Sequence, residues 1–217
     1  MILFAKVMSL IFAGLLVAQP GGAIAAPVRT VEKVIQQGLP DQPDALLKVS
    51  RALFDDYQQH HEAVALIFHS YALLRLANHF EAVNDYVNAS EYAKLGFFYL
   101  DEAVDTHETN FRLRYLRARV DAYLPAKLGR CVVTLQDTEI LLRQAKAFDA
   151  AIQAQINVMR YRALSSCRDH TRANALLTAM QNGTLSERKL LALGTDSTPE
   201  WDAHELAQIL MPLVKGE

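Results

Sequence analysis

The segment of residues 88–106 limits the possible folds more than any other part of this chain, because it reads as a helix that is apolar on two sides. Its apolar residues fall into two rows at helical spacing. The first row is Tyr92, Leu95, Tyr99 and Ala103, and the second is Ala93, Phe97, Leu100 and Val104. A helix with two apolar faces must be covered from two sides. The segment therefore predicts a layered, all-α fold with helices before and after it.

Gly96 lies in the middle of this predicted helix. Glycine inside a helix costs about 1 kcal/mol relative to alanine, so a structural reason for it is expected. The lack of a side chain allows another element to come very close. We therefore predict that a neighbouring helix crosses near Gly96.

The N-terminus has the three parts of a secretory signal peptide. Lys6 provides a positive charge, residues 7–18 form an apolar run of about a dozen residues, and residues 23–25 match an A-x-A cleavage signal. We expect cleavage near Ala25, which gives a periplasmic or secreted protein starting at Ala26. The alternative is an uncleaved membrane anchor, but the run is shorter than the roughly 20 residues that span a bilayer.

The charge balance gives no support for nucleic acid or an anionic membrane surface as a partner. The chain has 22 basic and 24 acidic residues, and loss of Lys6 with the leader changes its formal charge from −2 to −3. A strongly basic balance would be needed to attract either partner. After residue 26 no segment is long and apolar enough to cross a bilayer, so no membrane insertion is expected after cleavage.

Residues 26–217 are expected to form one helical domain, since 51% of the chain is hydrophobic and its length suits a single core. Apolar side chains recur at helical spacing between short polar turns, which indicates about ten helices and no convincing strand. Helix starts are predicted at Thr109-Asn110, Asp149, Thr171 and Ser197. Helices of this number and spacing suggest either a bundle or stacked antiparallel pairs.

Three similar segments favour the stack of helix pairs. YLDEAV at residues 99–104, TLQDTE at 134–139 and ALLTAM at 175–180 each lie in the second helix of a predicted pair, at offsets of 35 and 41 residues. Over residues 62–181 the chain resembles the tetratricopeptide-repeat superfamily, whose units are helix pairs of about 34 residues. The resemblance implies stacked antiparallel α-helix pairs that present a concave surface to a partner.

Two further segments carry this resemblance. The small residues Ala89 and Ala93, followed by GFFYLDEAVDTHETN, are similar to the second helix of such a unit, and RYLRARVDAYL is similar to the first helix of the next. The exit has Thr106-His107 where the family often has proline, and Pro125 lengthens the next turn. We therefore expect a compact, degenerate repeat domain in place of a regular superhelix.

The two cysteines are candidates for a disulfide, as expected in an exported protein. Cys131 opens one predicted helix and Cys167 closes the next, with Asp149, the best N-cap of the interval, midway between them. An antiparallel hairpin that turns at Asp149 would place the cysteines opposite each other. One alternative is a single long helix, which would hold them roughly 50 Å apart; another is a pair of buried free thiols.

Four arginines in one predicted helix are the candidate partner-binding residues: Arg112, Arg114, Arg117 and Arg119. The helix is the first of its pair, and the resemblance implies that first helices line the concave surface. Arginines there could hold a carboxylate by paired hydrogen bonds. The alternative is that they neutralise Asp101, Asp105 and Glu108 in the preceding segment.

No catalytic or metal-binding constellation emerges from the sequence. His60-His61-Glu62 lacks the second histidine of a zinc-protease helix. Ser165-Ser166-Cys167 with His170 has nucleophilic residue types, but no G-x-S-x-G elbow accompanies them. Asp101, Glu102 and Asp105 are read as a solvated face or as ion pairs with the following helix. We therefore expect no metal, no cofactor and no enzymatic activity.

The leading hypothesis is an exported, non-catalytic helical protein that binds a protein or peptide partner. The alternative is a small-molecule-binding protein whose pocket is lined by Tyr92, Tyr99, Tyr115 and Tyr123; an enzyme is a third possibility. The sequence leaves open the oligomeric state, and whether the C-terminal helix with Trp201 caps the stack or is offered to another chain.

Overall fold

The fold is all-α, as predicted. The computed structural model describes residues 29–195 and 200–216, and no strand occurs within those ranges. The predicted signal peptide lies outside the described residues. The helices are α1 (Thr30–Gln37), α2 (Pro43–His60), α3 (Ala63–Ala82), α4 (Tyr86–Asp105), α5 (Phe111–Asp121), α6 (Cys131–Arg143), α7 (Ala150–Ser166), α8 (His170–Gln181), α9 (Leu185–Leu193), α10 (Ala203–Glu205) and α11 (Met211–Val214). Short 3-10 turns, Ala126–Leu128 and Ala145–Ala147, flank α6.

Helices that are consecutive in the chain pack against each other. The most extensive contacts join α3 to α4 and to α2, followed by those of α6 with α5 and α7. The three similar sequence segments lie in α4, α6 and α8. Each of these helices packs against the helix that precedes it in the chain, and α6 packs about as extensively against α7, which follows it.

The centre of the core is α3, and not α4 as the sequence suggested. Thirteen of the 20 residues of α3 are buried, whereas only four residues of α4 are. In the first apolar row of α4, Ala103 is fully buried but Leu95 is 44% exposed. The N-terminal half of α4 is therefore covered on one side only, and its apolar residues are not all core residues.

Gly96 lies where α3 and α4 cross, as predicted. A Cβ atom built on Gly96 would be 2.8 Å from the Cγ and Cδ2 atoms of Leu74 and 3.3 Å from its backbone nitrogen. Real Cβ atoms essentially never come as close as 2.8 Å to another side chain. The absence of a side chain at residue 96 is what allows α4 to lie this close to α3.

The predicted helix starts are partly correct. The side chain of Asn110 accepts hydrogen bonds from the backbone of Arg112 and Leu113, and that of Asp149 caps α7. The start predicted at Thr171 is wrong, because Asp169 is the N-cap of α8. Asp169 lies two residues before Thr171. Its carboxylate accepts a hydrogen bond from the backbone N–H of Arg172 in the first turn of α8.

The C-terminal segment packs back onto the helix pairs, against α5 and α7. The predicted start at Ser197 lies outside the described residues; the segment begins at Ala203, where Asp202 and Glu205 form the capping box. A π-helical stretch joins α10 to α11, and its Ile209 and Leu210 are fully buried. Their burial shows that this segment is part of the core.

Cys131 and Cys167 form the predicted disulfide, with Cα atoms 5.7 Å apart. The bond closes the open end of the α6–α7 hairpin, which turns at the 3-10 turn and Asp149. The alternatives of one long helix and of free thiols are therefore wrong. Among the described residues, no helix has both the length and the apolar composition that crossing a bilayer requires.

We expect Gly96→Ala to destabilise the protein by about 1 kcal/mol. Overpacking against Leu74 costs about 1 to 3 kcal/mol, which outweighs a gain of about 1 kcal/mol in helix propensity. Urea unfolding measures the difference. As a control, Ser90→Ala at an exposed position of the same helix should be neutral or slightly stabilising. An equal increase of the free energy of unfolding in both variants would contradict the close crossing of α3 and α4.

Replacing both cysteines by serine should lower the free energy of unfolding by about 3 to 4 kcal/mol. The bond closes a loop whose ends are 36 residues apart, and loops of this size give stabilisation of that order. Chemical denaturation with and without reductant tests this. Reductant should destabilise the wild-type protein to the level of the Cys131→Ser/Cys167→Ser variant and leave that variant unchanged.

Candidate functional site

Arg117 and Arg114 both bind Asp137, and this places the central arginines of α5 inside the fold. The Nε and Nη2 atoms of Arg117 donate to the two carboxylate oxygens of Asp137 at 2.8 and 2.9 Å. Nη1 of Arg117 also donates to Asp101 and Asp105 on α4, each at 3.2 Å. Arg114 adds a 3.1 Å bond to Asp137. One buried carboxylate of α6 is thereby joined through arginine to both α4 and α5.

Arg130, just before α6, makes a second link between the same helices. Its guanidinium donates to Asp101 at 2.7 and 2.8 Å and to Asp121 at 3.0 Å, and it lies over the ring of Phe97. Burial raises the pKa of Asp121 to about 7, although the hydrogen bonds from Arg130 oppose this. The junction between the α3–α4 and α5–α6 pairs is therefore held by charged groups that are mostly withdrawn from water.

Arg119 connects α5 to the C-terminal segment. Its Nε donates to Glu205 at 2.7 Å, and the same carboxylate accepts a 2.7 Å hydrogen bond from Tyr115. The guanidinium of Arg119 lies 3.6 Å from the centre of the Trp201 ring. Glu205 and Tyr115 are fully buried. Trp201 and the capping box of α10 are thus fixed against α5 by one buried acid–base pair.

The four candidate arginines therefore all have contacts within the chain. Arg112, the remaining one, donates to the backbone oxygen of Gln208 at 2.9 Å. Arg117 pairs with Asp101 and Asp105, as expected if the arginines neutralise the acidic residues of the preceding segment. These contacts do not test a partner-binding role for the arginines, and that role stays a prediction.

An open, largely apolar groove lies beside this charged junction. Two cavities of about 360 Å³ each share Leu74, Asn78 and Leu124 and so form one continuous depression. We call it the α3–α4–α5 groove. Its floor is the face of α3 from Tyr71 to Glu81, about 15 Å long at 1.5 Å per residue.

The two walls of the groove come from different helix pairs. One wall is α4, and the other is the end of α5 with the following 3-10 turn and Trp201. The wall residues of α4 are Tyr86, Ala89, Ser90, Ala93, Lys94 and Phe97, and those of the opposite wall are Arg119, Val120, Tyr123, Leu124, Pro125, Lys127, Leu128 and Trp201. The small side chains on α4 leave the space that the groove occupies.

The groove has more basic than acidic side chains along it. Arg75, Lys94 and Lys127 border it, and the acidic partners of the first two, Asp41 and Glu91, do not line it. Among the residues that the structure describes, only Glu81, which Lys127 contacts at 2.8 Å, is an acidic lining residue. These pairs are exposed, so an incoming carboxylate could replace the outer acidic partner at little cost.

The structure does not bring the four candidate tyrosines together. Tyr123 lines the groove, whereas Tyr115 is buried against Glu205. Tyr92 stacks on Phe80, and Tyr99 packs against Phe54 and His69. The predicted tyrosine-lined pocket is therefore wrong as a single site, and these rings serve mainly the packing between helices.

Two nucleophile–histidine combinations in the described part of the chain lack either a free nucleophile or an adjoining cavity. Cys167 is oxidised in the disulfide, which removes it from any pairing with His170. Ser50 lies 3.0 Å from Nδ1 of His69, but both are buried and border none of the cavities described above. Across residues 29–195 and 200–216, no group of three or more His, Cys, Asp or Glu side chains could hold a metal ion.

Comparison with protein-family models, with curated proteins and with solved structures gave no significant match. The resemblance to tetratricopeptide repeats therefore stays a prediction, and the function must be inferred from the geometry of this chain.

We expect Asp137→Ala to destabilise the protein by about 3 to 5 kcal/mol. Asp137 is completely buried and neutralises two arginines, and removing one partner of a buried ion pair leaves a charge uncompensated. Asp105→Ala is the matched control, because Asp105 contacts the same Arg117 but is largely exposed. Its effect should stay below about 1 kcal/mol; comparable losses in urea unfolding would contradict the central role of Asp137.

Proposed function

We propose that this protein is an exported, non-catalytic binding protein that holds a segment of a partner protein in the α3–α4–α5 groove. The signal-peptide pattern at Lys6 to Ala25 supports export. The disulfide agrees with this, since such bonds persist in oxidising compartments such as the periplasm or the extracellular space. The groove itself is the observation that carries the binding proposal.

The lining of the groove defines the chemistry of its occupant. Leu74, Phe97 and Leu124 offer apolar surface at its centre. The basic side chains of Arg75 and Lys127 stand on either side of that surface. A peptide segment that combines one or two large apolar side chains with a nearby acidic residue fits this arrangement.

The rim favours a protein segment over an enclosed small molecule. Tyr86 is 62% exposed and Leu128 39% exposed, and both border the groove. Apolar side chains that extend from a cavity onto the surface are typical of protein interaction sites. The charged junction of Arg117 and Arg130 fixes one wall relative to the other, so little ordering is required when a partner binds.

One observation favours the second candidate function, the binding of a small anionic molecule. At one end of the groove the rings of Tyr71, Tyr123 and Trp201 lie near Arg75. A cavity of about 360 Å³ falls within the range of small-molecule sites. A compound that raises the melting temperature without competing with peptides would identify this function instead.

We expect Ser90→Trp to abolish peptide binding in the groove and to leave the fold intact. Ser90 is exposed and lines the groove, so an indole there fills the space that the partner needs. The measurement is selection of a displayed peptide library on the purified protein, followed by titration of the selected peptides. We expect these to carry apolar and acidic side chains.

Ala175→Trp is the control for this experiment, because Ala175 is a small, exposed residue in α8, away from the groove. This variant should bind the selected peptides as the wild-type protein does. Selection of no peptide, or equal binding by both tryptophan variants, would contradict the groove as the binding site.

A further inference from the structure

A second unusual surface lies on the outer face of α4, turned away from α3. Val87 is 76% exposed and Phe98 is 59% exposed. Glu91 and Lys94 lie between them on the same side of the helix. The successive spacings from Val87 to Phe98 are four, three and four residues, and residues at these spacings share one face of a helix. We call these four residues the α4 stripe.

Exposed apolar side chains are concentrated around this stripe. Of the ten large hydrophobic residues that are exposed in the described part of the chain, five fall within residues 83–98. They are Val83, Tyr86, Val87, Leu95 and Phe98. Tyr86 belongs to the rim of the groove. Single exposed apolar residues need no explanation, but several in one short segment are the kind of surface that another molecule covers.

The order of residues along the α4 stripe is self-complementary. From the N-terminal end it reads apolar, acidic, basic, apolar. When an antiparallel α4 of a second copy places its Phe98 opposite Val87, its Lys94 lies opposite Glu91. Two-fold symmetry makes each of these contacts twice. We propose that the α4 stripe binds the α4 stripe of a second copy of this chain, forming a symmetric dimer.

The local geometry supports this pairing. Spacings of four, three and four residues are those of the contact seam between two packed helices. Within one copy, Glu91 and Lys94 make only an exposed ion pair at 3.3 Å, which contributes little to stability. Both side chains are therefore available to pair across the two-fold axis, while Val87 and Phe98 provide the apolar contact at each end.

The dimer does not depend on the function proposed for the groove. Ala93 and Phe97, which line the groove, lie on a different face of α4 from Val87, Glu91 and Phe98. Ser90 lies at the edge between the groove and the stripe. Lys94 is the one residue that the two surfaces share. Failure of peptide binding and failure of dimerisation can consequently be observed separately.

Charge reversal tests the arrangement directly. In Glu91→Lys each basic residue of the stripe would face a basic residue of the second copy, and in Lys94→Glu each acidic residue would face an acidic one. We expect the wild-type protein to dimerise, and each single reversal to weaken association by about tenfold or more. Sedimentation equilibrium at concentrations up to about 100 μM measures this, and thermal unfolding verifies that both variants remain folded.

Two rescue measurements use the symmetry. The double variant Glu91→Lys/Lys94→Glu restores both cross-pairs and should dimerise as the wild-type protein does. An equimolar mixture of the two single variants should form a heterodimer, because every charge then meets its opposite. A wild-type protein that is monomeric throughout overturns the proposal. So does a dimer that neither reversal weakens, or a mixture of single variants that fails to associate.

Discussion

The forked ion pair between Arg117 and Asp137 is the interaction on which the arrangement of the helix pairs depends. The two residues are 5% and 0% exposed, so neither charge is compensated by water. Removing both from solvent has a large free-energy cost that only close, directional hydrogen bonds offset. Arg117 also donates to Asp101 and Asp105 on α4. These links act together with those of Arg130 and with the apolar core shared by α3 and α5 to set the position of one helix pair relative to the next. The shape of the groove depends on that position.

Local sequence signals predicted the features that depend on nearby residues. Asn110 and Asp149 are caps because a short polar side chain reaches the free N–H groups two and three residues ahead, and both act in this way. The Cys131–Cys167 bond followed from the position of Asp149 between two helices. The choice between α3 and α4 as the central helix could not be made in this way. Apolar spacing shows that a face can be buried, but not which neighbour buries it.

The candidate site was less predictable because its parts are distant in the chain. Sequence identified the arginines of α5, but their buried partners Asp137 and Glu205 lie 20 residues from Arg117 and 86 residues from Arg119. No periodic pattern connects residues so far apart. The groove likewise combines α3, α4 and the turn after α5 with Trp201. The one local signal for it was the run of small residues Ala89, Ser90 and Ala93 on α4, which leaves a helix surface without large side chains.

The excess of apolar residues on α4 has a physical explanation in the number of surfaces that this helix provides. Its C-terminal half supplies core residues such as Leu100 and Val104, with Gly96 at the crossing with α3. Its N-terminal half has one face on the groove and another, with Val87, in solvent. A helix needed only for the core would carry polar residues on both of these faces, because exposed apolar groups lower solubility. The core therefore does not account for all the apolar residues of the N-terminal half, and they lie at the groove and the α4 stripe, the two surfaces for which binding is proposed.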